Sequence, residues 1–200
     1  SIESILEDEK LSNSTYWNSS TSLIQLTTGS WDNANTEIAS VFIPADVELS
    51  APLLRKLNLL KHSELIFPSI SNGNPDIVAI YFGGESKETV YYPNIDLANI
   101  VPPDFDVTGR QWYISAAPEN NPENRVAWSA PYEDAALNGL VITTSQPVFI
   151  GGRFQGVAAM DVQLTRIIEL VANVQVEESG YAFLIDNNNR LISLPGEGFV

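Results

Sequence analysis

The order of hydrophobic periodicities predicts an α+β domain built around an antiparallel sheet. Three observations carry this. Apolar residues recur at helical spacing over 50–60 and again from 161 to 171. Between about 76 and 160 they run instead as short strands separated by glycine and proline turns. No helix alternates with those strands, so the order is not that of a parallel βαβ sheet.

Each element has its own local reason. Ile2, Ile5 and Leu6 stand at helical spacing among charges, as at the end of a longer helix. Residues 12–40 are rich in Ser, Thr and Asn and show no period; Asn13-Ser-Thr15 and Asn18-Ser-Ser20 fit the glycosylation pattern, which such a composition produces by chance. Ser50-Ala-Pro52 supplies a capping residue and an early proline, and Leu53, Leu54, Leu57 and Leu60 then share a helix face. Ile77–Phe82 and Thr89–Tyr92 form a hairpin whose turn begins at Gly83-Gly84. Residues 93–124 contain Pro93, Pro102, Pro103, Pro118 and Pro122, which predicts a long ordered loop or short helical turns. Long loops of this kind often carry function. Leu140–Ser145 and Val148–Ile150 read as one strand, with Pro147 marking an edge or a bulge. Gly151-Gly152 turns the chain into Phe154–Met160. Asp161 is expected as the N-cap of a helix whose apolar face is Leu164, Ile167, Ile168 and Val171. Tyr181–Asp186, Asn187–Asn189 and Arg190–Leu194 read as strand, turn and strand, either joining the preceding sheet or opening a second domain.

Composition narrows the chemistry. The chain has 200 residues and no cysteine, which removes disulfides, thiolate metal sites and cysteine nucleophiles. Its one histidine, His62, removes most histidine-based catalysis and multi-histidine metal sites. A net charge of −15 repels phosphate backbones, so nucleic acid is not an expected partner. No apolar run approaches the roughly 20 residues that cross a bilayer, and no leader opens the chain; the expectation is a cytosolic protein or an excised soluble piece. The GxSxG, HExxH, P-loop and GxGxxG patterns are absent. No cofactor or metal is expected.

Three constellations could bind a ligand. Arg110 stands beside Trp112 and Tyr113: a planar fork able to hold a carboxylate, next to aromatic walls. Tyr132 and Asp134 are two apart, so an extended backbone puts both on one face, where ring and carboxylate suit an ammonium group. Asp161 follows an apolar strand. Each also has a plainer reading: a loop anchored by aromatic burial, a strand-end tyrosine with a turn-forming aspartate, and a helix cap.

Taken in order, Tyr91-Tyr-Pro-Asn94, Asp104–Tyr113, Trp128–Asp134, Leu140–Ser145, Gly156–Asp161 and Gly180–Asp186 resemble a double Cache sensor domain. The resemblance covers roughly residues 76–194, and its nearest members are sensor histidine kinases, with chemoreceptors in the same family. It implies a PAS-like fold, an extracytoplasmic position in a membrane-anchored receptor, and small-molecule binding. It divides the chain into an N-terminal helical stalk and irregular segment (1–60), a membrane-distal PAS-like ligand-binding domain (61–176) and the opening hairpin of a membrane-proximal one (177–200). It also allows a homodimer through the N-terminal helix. The amino-acid-binding subset of the family has a motif that maps onto Arg110 and Trp112, with Tyr113 beside them, for a carboxylate, and onto Tyr132, Asp134 and Asp161 for an amine. The sequence departs from that motif at Phe105, where the family has a tyrosine, so one hydroxyl on the carboxylate side is missing. The leading reading is therefore a sensor of an amino acid, an amine or a related small metabolite. A module that closes its own pocket, and a hydrolase using paired carboxylates, are the competing readings.

Overall fold

The computed structural model describes residues 1–12, 23–33, 38–176, 180–185, 189 and 191–193. The acceptor asparagines Asn13 and Asn18, and Asn187 and Asn188 of the expected turn, lie outside them. Helix α1 (Ile2–Leu6) is capped by the Ser1 hydroxyl and followed by α2 (Glu9–Ser12). Strands β1 (Leu23–Gln25), β2 (Trp31–Asn33) and β3 (Ser40–Ile43) come next, then helices α3 (Ala51–Leu60) and α4 (Phe67–Gly73). The hairpin is β4 (Ile77–Gly84) and β5 (Thr89–Tyr92). Helix α5 (Gln111–Ala116), the short strands β6 (Ala127–Trp128) and β7 (Tyr132–Glu133), the long pair β8 (Leu140–Ile150) and β9 (Arg153–Gln163), and helix α6 (Leu164–Ala172) complete the main body. These strands make a nine-stranded sheet in the order β1-β2-β3-β5-β4-β9-β8-β6, with β7 also on β8. Every pairing in it is antiparallel. No helix among the described residues is long and apolar enough to cross a membrane.

The period of two along the central strands sorts side chains between two cores. Val41, Ile43, Ile80, Phe82 and Val90 face α3, where Leu53, Leu57 and Leu60 meet them. The alternate residues Phe42, Ala79, Tyr81 and Tyr91 face the other way, onto α5 and the loop before it. Leu57 and Leu60 are almost fully buried; burying a leucine is worth about 1.5–3 kcal/mol. Leu54, expected on the same face, is only half buried, and Leu59 is buried in its place. Ile2 and Leu6 of α1 pack on the α3 core. Strands β1–β3 and helix α3 thus belong to the same sheet and core as residues 77–163, although they fall within the 1–60 stretch expected to be stalk and irregular segment. The reason is pairing: β3 is held between β2 and β5.

Two expectations change locally. Gly83-Gly84 do not turn the chain; both are still paired with β9, and the turn follows at 85–88, with Lys87 at φ 67°. These glycines permit close packing instead. A Cβ on Gly83 would strike the Trp112 ring, and one on Gly84 would strike the buried Glu88 carboxylate. Asp161 is not an N-cap. It lies inside β9, paired with Ala79 on one side and Thr143 on the other, and the α6 cap is Gln163. The ladders on both flanks hold the strand extended past residue 161. Residues 93–124 resolve into short turns, Leu97–Asn99 and Val107–Gly109, and then α5. Pro147 does sit at an edge: β6 pairs with β8 only at Thr144 and Ser145, which leaves that side of β8 open beyond it among the described residues.

After α6, β10 (Gln175–Val176) pairs with β11 (Gly180–Tyr181), and β12 (Leu184–Ile185) with β13 (Leu191–Ser193). Neither ladder joins the nine-stranded sheet.

Candidate functional site

On the face of the sheet opposite α3, the loop and α5 enclose a small cavity of about 30 Å³. Its floor is the hairpin. Tyr81 and Tyr91 oppose each other across β4 and β5 and stack, with centroids 5.2 Å apart and planes at 11°. Trp112 meets Tyr81 edge-on at 4.9 Å, in the space that Gly83 leaves free. The Asp106 carboxylate caps the turn before α5, accepting from the Thr108 N–H and hydroxyl. The Ser145 hydroxyl donates to the Trp112 carbonyl and fixes α5 against β8.

Arg110 is the N-cap residue of α5, but its side chain makes no cap bond. Its guanidinium lies 5.5 Å from the Tyr132 ring centroid and 5.9 Å from that of Phe105, and donates at 3.5 Å to the Glu133 carbonyl. Asp134 opens a tight turn in which Oδ1 accepts from the Ala136 N–H and Oδ2 from the Asn138 amide. The same amide donates to the Tyr91 hydroxyl at 2.9 Å. Arg110, Phe105, Trp112, Tyr132 and Asp134 all line the cavity.

Asp161 stands one layer behind the lining. Its Oδ1 accepts from the Tyr81 hydroxyl and from the Thr143 hydroxyl, each at 2.6 Å. Because Thr143 has a single hydrogen and spends it on Asp161, the Tyr132 hydroxyl must be the donor in its 2.7 Å bond to Thr143. Asp161 Oδ2 is buried without a protein partner. Burial is the main reason its carboxyl is pushed up to about 7, and the charge of Asp134 adds to it; the Thr143 and Tyr81 hydroxyls pull the other way. Burial likewise raises the Tyr81, Tyr91 and Tyr132 hydroxyls.

Of the seven residues singled out in the sequence, five meet at the cavity and Asp161 reaches it through Tyr81. Tyr113 does not line it. That ring lies behind Trp112, edge-on at 5.7 Å, and packs toward Phe154. Sequence reasoning missed Tyr81, Tyr91, Thr89 and Asn138. The first three follow from alternation along the hairpin once the facing side is known; Asn138 has no local signal.

A family model described as the methyl-accepting chemotaxis protein-like first PDC sensor domain matches residues 54–169. Among curated proteins, McpC of Bacillus subtilis is 34% identical over 123 residues, 61% of this chain and 18% of that one. TlpB of the same organism is 32% identical over 129 residues, 64% of this chain and 18% of that one. Both are methyl-accepting chemotaxis proteins, and the chain spans less than a fifth of their length. Among solved structures, the ligand-binding domain of the Pseudomonas fluorescens chemoreceptor CtaA in complex with L-serine superposes with a TM-score of 0.56 at 22% identity, covering 68% of this chain and 55% of that one. That likeness shows the fold.

Proposed function

We propose, from the premise that this chain belongs to the methyl-accepting chemotaxis protein-like first PDC sensor domain family, that its cavity binds a free α-amino acid or a related amine-bearing small molecule. The family is one of sensor domains, not of enzymes. The observation that carries the reading is the pairing of opposite charges around Tyr132. A guanidinium lies against its ring, while Asp134 two residues on, and Asp161 through Thr143, gather negative charge near its other end. In a cavity otherwise walled by aromatic and aliphatic groups, that arrangement suits a zwitterion. Arg110 offers a two-pronged donor to the carboxylate, Asp134 takes the ammonium with Asp161 adding negative charge from behind Tyr81, and the rings of Tyr132 and Trp112 pack against the ligand. Phe105 stacks by the guanidinium without adding a donor. Tyr113 acts through Trp112. The solved CtaA domain, which holds L-serine, supports this ligand class.

A space of about 30 Å³ holds about two water molecules. An amino acid is larger, so the lining must open to admit it. The shape that binds differs from the one described, and a ligand preferring the first shifts the population toward it. In the intact receptor that shift would be read across the membrane from an extracytoplasmic position, with residues 177–200 leading into a second PAS-like module and a dimer formed through the N-terminal helix. McpC and TlpB are methyl-accepting chemotaxis proteins, so the proposed output is chemotactic signalling, with a kinase as the other output consistent with the fold.

Thermal unfolding of the purified chain with panels of amino acids, amines and plain carboxylates tests the reading. Amino acids should stabilise it and plain carboxylates should not. Asp134→Asn, which keeps the acceptor for Ala136 and gives up the one for Asn138, should lose the response while still unfolding cooperatively. A response unchanged in that variant would count against the site.

A further inference from the structure

We infer that Thr89 sets the ligand preference of this cavity: its hydroxyl is the partner for a hydrogen-bonding group on the ligand's own side chain. The preferred ligand is then an α-amino acid with a short side chain that ends in a hydroxyl or an amide. The inference rests on the amino-acid reading above and narrows it.

Thr89 lies on β5, is 2% exposed and lines the cavity, and its Oγ1 has no hydrogen-bond partner among the described residues. A buried hydroxyl in that position is uncommon and calls for an explanation. Five other polar side chains of the lining have protein partners: Arg110 has the Glu133 carbonyl, Tyr132 has Thr143, Tyr91 has Asn138, Tyr81 has Asp161, and Asp134 has Ala136 and Asn138. Leu97, Val101 and Val107, which also line the cavity, offer only hydrocarbon.

Sheet geometry places the hydroxyl. Thr89 is directly opposite Gly83 and two residues from Tyr91, so it shares the cavity face with both. Gly83 has no side chain, and the Trp112 ring fills the space above it. Thr89 therefore stands beside Trp112, on the cavity floor. Arg110 and the two aspartates serve the carboxylate and ammonium that every α-amino acid carries, so they cannot tell one from another. The buried hydroxyl left to discriminate is Thr89, and a threonine side chain that projects from the floor leaves room there for only a short ligand side chain.

Calorimetric titration of the purified chain with L-serine, L-asparagine, L-alanine and L-valine tests this. Wild type should prefer serine and asparagine. Thr89→Val is isosteric and keeps a β-branched residue in a strand. It should weaken serine and asparagine about 3- to 10-fold, the factor for one neutral hydrogen bond, and leave alanine and valine unchanged or tighter. Thr89→Ser should keep the wild-type order. A wild type that prefers alanine and valine overturns the inference, as does a Thr89→Val variant that weakens all four ligands alike or none of them. If none of the four binds wild type, or Asp134→Asn binds them undiminished, the amino-acid reading itself fails and this one with it.

Discussion

Replacing Asp161 with asparagine should raise the stability of the ligand-free protein and remove its response to ligand, and the gain should grow with pH. The carboxyl ionises at about 7 in the fold against an ordinary 3.8. The folded state therefore holds this proton more tightly than the unfolded chain does. Its favourable contribution is complete below 3.8 and is lost as pH rises through about 7. In the fold the group is ionised at pH 8 and protonated at pH 5; at 1.36 kcal/mol per pH unit, holding it there rather than in the unfolded chain costs about 4 kcal/mol at pH 8 and about 2 kcal/mol at pH 5. Asparagine can accept the same two hydroxyl bonds at Oδ1. Its amide N–H₂ replaces an oxygen that has no protein partner, at a cost of about 1–3 kcal/mol that does not depend on pH. The difference between variant and wild type should therefore be about 2–3 kcal/mol larger at pH 8 than at pH 5. For a domain of this size that corresponds to about 5–10 °C in Tm. Urea unfolding of both proteins at the two pH values measures it. Equal differences at pH 5 and pH 8 would refute the claim that burial raises this carboxyl. The same protonation should weaken ammonium binding in wild type as pH falls through about 7, because a neutral Asp161 offers no charge.

Two further outcomes follow from the same geometry. Phe105→Tyr places a hydroxyl beside the Arg110 guanidinium, 5.9 Å from the present ring; one added hydrogen bond of about 1 kcal/mol should tighten amino acids about fivefold and leave carboxylate-free amines unchanged. An equal effect on both ligand types in calorimetry would show that the carboxylate is held elsewhere. Gly83→Ala drives a Cβ into the Trp112 ring and Val107. It should cost about 1–3 kcal/mol and alter the tryptophan near-ultraviolet signal, and a wild-type melt with an unchanged spectrum would show that the ring is not held there.

The periodicity of the sequence was enough to place α3, the β4–β5 hairpin, the β8–β9 pair and α6, because in each the period of burial is also the period of the backbone. It did not place β1–β3. Those strands have only three or four residues each, with no run long enough to show a period, and the sheet creates them by pairing. Asp161 illustrates the same limit. Before Leu164 an aspartate looks like a helix cap, but pairing with both Ala79 and Thr143 keeps it in the strand. The Gly83-Gly84 pair looked like a turn and proved to be space left for Trp112 and Glu88.

The candidate site divides in the same way. Arg110, Trp112, Tyr132 and Asp134 were legible because local spacing in two short segments puts them on one side of the chain, and the family motif supplied Asp161 and the gap at Phe105. What the sequence by itself determined is the chemistry on offer: no thiol, one histidine, a strong negative charge, and an arginine and two aspartates among aromatics. Only the tertiary structure decided which of these groups meet. Tyr81 and Tyr91 reach the site because β4 and β5 oppose them in register. Asp161 stands behind them because β9 runs between β4 and β8. Thr89 faces the cavity because it stands two residues from Tyr91 on the same strand. The Tyr81–Asp161 contact joins residues 80 positions apart, and a pattern that repeats every two or four residues carries no information about it.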